Sequence, residues 1–434
     1  MTGAEDEVVG LASDLIRIDT TNTGDPDTLV GERVAAEYVA EKLSDVGFET
    51  TYVEAGQRKR DNVIVRLAGA DPGRGALLVH GHLDVVPADA AEWSVHPFSG
   101  AVRDGYLWGR GAVDMKDMVA MTLAVARRFK RDNVVPPRDI IFAFLADEEA
   151  GGFHGAQWLV ANRPELFEGA TEAISEVGGF SITVRDDVRA YLVQTAEKGI
   201  RWLTLKVRGT AGHGSMIHRD NAVSKLAAAV SRLGAHQFPL VMTDSVTEFL
   251  AGVSELTGLE FPDDDIEGAV GKLGALSRMV GATLRDTANP TMLKAGYKSN
   301  VIPSTAEATV DCRVLPGREA AFERELDEIL GPDVEREWVS LPPVETTFDG
   351  TLVDTMTEAI THEDPGAKVL PYMLSGGTDA KAFQRLGIRC FGFAPLRLPA
   401  DLDFTALFHG VDERVPVDAL RFGTRVLERF LLRS

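Results

Sequence analysis

Residues 139–152 read Asp-Ile-Ile-Phe-Ala-Phe-Leu-Ala-Asp-Glu-Glu-Ala-Gly-Gly. The run from Ile140 to Leu145 is apolar on both faces, and a strand with no wet face belongs inside an α/β sandwich, with helices covering both sides of its sheet. Three carboxylates, Asp147, Glu148 and Glu149, follow at the strand's carboxyl end, where an open α/β sheet presents its functional groups.

Working outward, Asn62–Leu67 and Ala76–His80 read as strands, and Met115–Phe129 as a helix. Val8, Leu11, Leu15 and Ile16 form a helical stripe, and Val34–Leu43 reads as a second helix. Ala173–Ser175 and Ala190–Val193 continue the strands. Near residue 199 the pattern changes: Leu203–Arg208 and Ala306–Cys312 alternate apolar and polar. Each precedes a helix, one striped by Val223, Leu226, Val230 and Leu233, the other by Phe322, Leu326, Ile329 and Leu330. That suggests a small open-faced α/β layer. Phe238–Thr291 is less regular than its surroundings. After Pro342 the buried strands return, through Arg389–Phe393, to a last helix at Val417–Leu432. The expected organisation is one α/β domain, 1–198 plus 342–434, interrupted by an inserted domain, 199–341.

Bulk properties narrow the function. The 66 acidic residues outnumber 45 basic ones, a net charge of -21, which excludes the basic surface that nucleic acids or anionic membranes require. Cys312 and Cys390, the two cysteines, are too few for a disulfide framework or a cysteine-ligated zinc site. The acidic amino terminus lacks the basic and apolar regions of a signal peptide, and no apolar run is long enough to span a bilayer, so a cytoplasmic location is expected.

Five segments carry candidate chemistry. In His80-Gly-His-Leu-Asp84, His82 and Asp84 share a face of extended chain, where a carboxylate can accept the imidazole N–H and leave the other nitrogen for a metal; His80 reads as a packing or supporting residue. Asp114, in Gly109-Arg-Gly-Ala-Val-Asp114, stands where a glycine-rich turn meets a helix, and locally an N-cap explains it as well. Glu148 and Glu149 can point apart, one to a metal and one to a water. Glu176 follows another strand, and His409 lies in Phe408-His-Gly-Val-Asp-Glu413.

The order and spacing of these segments together resemble the zinc aminoacylase, acetylornithine deacetylase, succinyl-diaminopimelate desuccinylase and glutamate carboxypeptidase superfamily, over nearly the whole chain. The resemblance implies a mixed, mostly parallel sheet between helices, interrupted by a smaller ferredoxin-like α+β lid domain. It implies His82, Asp114, Glu149, Glu176 and His409 as ligands of two divalent ions, with zinc expected and cobalt or manganese also compatible with N and O donors. Asp114 bridges, Asp84 orients His82, and Glu148 is the general base. Asp117 departs from the glycine that the family often has after Asp-Met-Lys, which bears on the helix start. His213, in Gly209-Thr-Ala-Gly-His-Gly-Ser215, is implied as an oxyanion donor reaching across a homodimer formed through the lid. Asn300, also readable as a turn cap before Pro303, matches a lid residue that contacts substrate. Gly377 and Thr378 match the family's substrate-side glycine loop, and Arg313 and Lys381 are candidates to grip a substrate carboxylate.

The function implied is hydrolysis of an amide or peptide bond in a small N-acyl amino acid or dipeptide-like substrate. A desuccinylase-type deacylase is the alternative within the family, and the long stretch at 238–291 favours the larger aminoacylase and carboxypeptidase branch. A two-metal phosphoesterase needs basic residues lining the site, and these segments supply few. A catalytically dead peptide-binding relative needs a missing base or ligand, and none is missing.

Overall fold

The computed structural model describes residues 3–185, 188–274 and 276–434; Met1 and Thr2 of the acidic amino-terminal stretch lie outside them. The large sheet runs Thr51–Glu54, Asp61–Leu67, Ile140–Leu145, Ala76–His82, Ala170–Ser175, Arg389–Gly392, Val188–Glu197 and Val344–Glu345, with Ser181–Arg185 and Lys368–Leu374 also paired to Val188–Glu197. It is mixed, as expected. Parallel pairing joins the four central strands to one another and Lys368–Leu374 to Val188–Glu197, and the remaining pairs are antiparallel.

Ile140–Leu145 is buried at every position. Helices Ala4–Arg17, Arg33–Ser44, Lys116–Arg131 and Val417–Leu431 supply Val8, Leu11, Leu15, Val39, Leu123, Phe129, Leu427 and Phe430 to the core on one face of the sheet. A second cluster, with Leu78, Ile141, Ala143, Leu159 and Phe383, fills the other face. Burial on both faces is what allows a parallel centre.

The smaller layer is a four-stranded antiparallel sheet in the order Thr287–Ala295, Thr305–Val314, Gly199–Arg208, Val334–Leu341. Helices Ala222–Ala235 and Glu319–Leu330 complete a strand-helix-strand-strand-helix-strand chain order, the ferredoxin-like split βαβ. Leu203, Leu205, Val207, Ala308 and Val310 face Leu226, Leu233, Phe322 and Leu326 in a separate core, with Cys312 buried and free among them. Asn221 caps the first helix by accepting from Val223 N and Ser224 N. Its buried stripe is Ala222, Leu226, Ala229 and Leu233, and Val223, expected on that stripe, is 38% exposed.

Residues 244–281, inside the expected insertion, do not join this layer. Helix Asp244–Thr257 places Val246, Phe249, Leu250 and Val253 in the core of the large sheet, and Ile266, Val270 and Val280 follow them there. The small layer is therefore built from the flanking parts of 199–341. Among the described residues, no helix is long and apolar enough to cross a membrane.

Candidate metal centre

Three adjacent parallel strands deliver their groups to one sheet edge. Ala76–His82 ends in His82; Ile140–Leu145 beside it runs into Glu148 and Glu149; Ala170–Ser175 on its other side runs into Glu176. Asp114 comes from the loop before helix Lys116–Arg131, through a cis Asp114–Met115 peptide, and His409 from a loop near the carboxyl end.

Asp114 lies between the two imidazoles. Its Oδ1 is 3.1 Å from His82 Nε2, and its Oδ2 is 3.2 Å from His409 Nε2. Glu176 Oε2 stands 3.5 Å from His82 Nε2, and Glu149 Oε2 3.1 Å from His409 Nε2. The ligating atoms thus fall into two groups, His82–Asp114–Glu176 and Asp114–Glu149–His409, each within 4.8 Å and sharing Asp114. Glu148 is in neither group; its Oε2 is 3.9 Å from His82 Nε2, and it lines the adjoining cavity. Asp117 is buried in the first helical turn, accepting from Met118 N, and joins neither group.

The residues fit divalent cations. The donors are imidazole nitrogens and carboxylate oxygens, without sulfur, and Glu149 Oε1 is buried with no hydrogen-bond partner among the described residues. The electrostatics are those of a cluster that needs positive charge. Burial opposes protonation of His82, but Glu176, Asp114 and Asp84 outweigh it and hold the imidazole well above its ordinary value. Hydrogen bonds to Asp114 and Glu149 raise His409 to about 10. Burial, with the repulsion of Glu176, pushes Glu148 well above the usual carboxylate range.

Asp84 does more than the H-x-D spacing implies. The closest acceptor to His82 Nδ1 is the Asp84 backbone carbonyl at 3.0 Å, with the carboxylate at 3.4 Å. The carboxylate instead accepts the backbone N–H groups of Glu148 and Glu149, at 3.2 and 3.1 Å, and the Asn22 amide at 2.8 Å. Behind it, buried Arg60 pairs with Glu32 and Asp147, and donates to Asn22 Oδ1. Asn22, Glu32 and Arg60 carry no recognisable local signal. His80 is a packing residue: its buried ring, 4.7 Å from that of Phe383, has no hydrogen-bond partner for either nitrogen among the described residues.

A cavity of about 410 Å³ opens beside the two groups. Arg313, Gly377 and Thr378 line it. Arg313 already makes a two-pronged bond to Asp311, at 2.7 and 3.0 Å, and keeps further N–H donors. Lys381 is a correction: it is fully buried, 3.0 Å from Glu197 Oε2 and bonded to the Lys198 carbonyl, so it cannot reach a substrate. Glu197 also accepts from Thr378 N and Oγ1, so the pair anchors the glycine loop from behind. His213 lies on a short strand paired with Val301–Ile302, in a two-stranded sheet separate from the four-stranded one, and Asn300 sits in the turn just before that partner strand; both are exposed and outside the cavity lining. One wall is apolar, with Phe180, Tyr372, Leu374 and Phe408. Met279 joins them from the 244–281 segment, a contribution the irregular sequence there did not announce.

Residues 78–433 match the family model described as "Peptidase family M20/M25/M40". The chain is 27% identical over 416 residues to the N-fatty-acyl-amino acid synthase/hydrolase PM20D1 of Bos taurus, covering 91% of this chain and 81% of that protein. It is 28% identical over 366 residues to aminoacylase-1 of Sus scrofa, covering 80% and 77%. In fold it resembles the M20 family metallo-carboxypeptidase Sso-CP2 from Sulfolobus solfataricus, with a TM-score of 0.75 at 18% identity and 99% of each chain covered.

Proposed function

Because this chain belongs to the M20/M25/M40 peptidase family, we propose that it is a two-metal hydrolase of N-acyl amino acids, acting on those with an apolar acyl group. The observation that carries this reading is the pair of three-residue donor groups sharing Asp114, with Glu148 beside them and outside both. Zinc suits the imidazole and carboxylate donors. Bound there, two divalent ions would polarise the scissile carbonyl and lower the pKa of water.

This chain's residues supply the rest. Asp84 fixes the peptide that carries Glu148 and Glu149, which aims the Glu148 carboxylate into the cavity. Glu148 takes a proton from the attacking water and returns it to the leaving nitrogen. Arg313 holds the substrate carboxylate through N–H groups that Asp311 leaves unused. His213, brought over the cavity from a second copy, donates to the developing oxyanion. Dimerisation through the small layer is supported by its edge strand Thr287–Ala295, where Met292 and Leu293 stand exposed. Among the described lining residues there is one arginine and no lysine, too little cationic charge for the second carboxylate of a succinyl substrate.

Metal analysis tests the first half. Zinc-loaded protein should hold close to two ions per chain, and chelation should abolish hydrolysis until zinc or cobalt is restored. Full activity in protein shown to be free of metal would overturn it. The acyl preference is tested on N-acyl amino acids of increasing chain length. Burying a methylene contributes ~0.8 kcal/mol, so kcat/KM should rise about fourfold per carbon until the wall is filled. Met279→Glu should flatten that rise. A flat profile in the wild type would discard the apolar acyl group and leave amide hydrolysis standing.

A further inference from the structure

The loop that carries Asp114 has no regular structure of its own, and Gly109 and Gly111 in it adopt positive φ of 151° and 86°. One side chain from the far end of the chain holds it. Glu413 Oε1 accepts Val113 N at 2.7 Å and Asp114 N at 3.1 Å; Oε2 accepts Gly111 N at 3.0 Å and Arg110 Nη1 at 2.6 Å. The Glu413 backbone carbonyl accepts Gly109 N at 3.0 Å. Glu413 is fully enclosed and Arg110 nearly so, the Arg110 guanidinium lying 5.2 Å from the Trp93 ring centroid.

Arg110 also donates through Nη2 to the His409 carbonyl, at 3.3 Å. The same carboxylate–guanidinium pair therefore grips the loop of Asp114 and the loop of His409. A buried charge pair is a poor device for stability alone, since packed apolar groups serve as well or better. This one converges three backbone N–H groups and a guanidinium on a single carboxylate, immediately before Asp114. By contrast, His82 and Glu176 stand at the ends of neighbouring paired strands, and need no such clamp.

Resting on the two-metal reading, we propose that Glu413, acting with Arg110, is a positioning residue for the Asp114–Glu149–His409 group, and sets that group's affinity for a divalent cation. The His82–Asp114–Glu176 group shares only Asp114 with that clamp and takes its other two ligands from the ends of paired strands, so it depends on the clamp less. Glu413→Gln keeps the shape but turns an N–H donor toward the loop's own donors. Loss of partners behind metal ligands costs about 10- to 100-fold in affinity.

The experiment is calorimetric titration of chelator-stripped protein with zinc, with bound metal counted after gel filtration. Wild type should take up two ions. Glu413→Gln should take up one with near wild-type affinity, and the second at least ~10-fold more weakly. Arg110→Lys keeps a charge for Glu413 and loses the fork that reaches His409. It should show a smaller loss confined to the same ion, and stands in if Glu413→Gln does not fold. Equal weakening of both ions, or of neither, in a folded variant would overturn the proposal. Failure of the wild type to bind two ions would instead bring down the two-metal reading, and the proposal with it.

Discussion

Glu148→Gln should lose about 10²- to 10⁴-fold in kcat while binding as much metal as the wild type. The substitution is nearly isosteric, so the cavity wall it forms is kept, but an amide cannot accept the proton of the attacking water. Metal should be retained because Glu148 belongs to neither donor group. Its neighbour gives the opposite result: Glu149→Gln alters an oxygen 3.1 Å from His409 Nε2 and should deplete one ion. The comparison is made by metal analysis and steady-state kinetics on the two variants side by side. Metal loss in Glu148→Gln, with Glu149→Gln unaffected, would mean that the two adjacent glutamates exchange roles.

The place of the two glutamates was legible in the sequence because of the strand before them, whereas which is base and which is ligand rested on the family resemblance alone. Ile140–Leu145 has no polar position, so its place in the sheet and the edge at which its loop emerges follow from burial alone. His82 and Glu176 were placed in the same way, at the ends of apolar runs. Helix Asp244–Thr257 was also legible in principle. Val246, Phe249, Leu250 and Val253 have helical spacing after the Thr243 cap, but nothing local tells which of two cores such a stripe joins. Lys381 shows the harder limit. A lysine beside a glycine loop looks like a substrate contact until its partner is known, and Glu197 lies far away in the chain. Arg60, Asn22 and Glu413 went unread for the same reason, since a hydrogen bond between distant residues leaves no periodicity. Glu413 at least stood within the quoted His409 segment.

His213→Ala should lower kcat by about 10²- to 10³-fold with the metal content unchanged, the usual cost of removing one oxyanion donor. In this structure the imidazole is exposed, its Nδ1 bonded to Ser215 Oγ at 2.8 Å and Ser215 N at 3.2 Å. His213 pairs with Val301, and Gly214 N donates to the Asn300 carbonyl at 2.9 Å, so His213 and Asn300 are neighbours. Neither lines the cavity of its own chain, which leaves two ways to reach a substrate: closure of the chain on itself, or contribution to a neighbour. Mixing two inactive proteins separates them. Equal amounts of His213→Ala and Glu148→Ala are combined under conditions that exchange subunits, and hydrolysis is followed as mixed dimers form. If His213 acts in trans, the chain with intact Glu148 receives a histidine from its partner, and each mixed dimer regains one complete site. If His213 acts within its own chain, every site in every dimer still lacks one of the two groups. Subunit exchange confirmed by mass, with no activity recovered, would rule out action across the dimer.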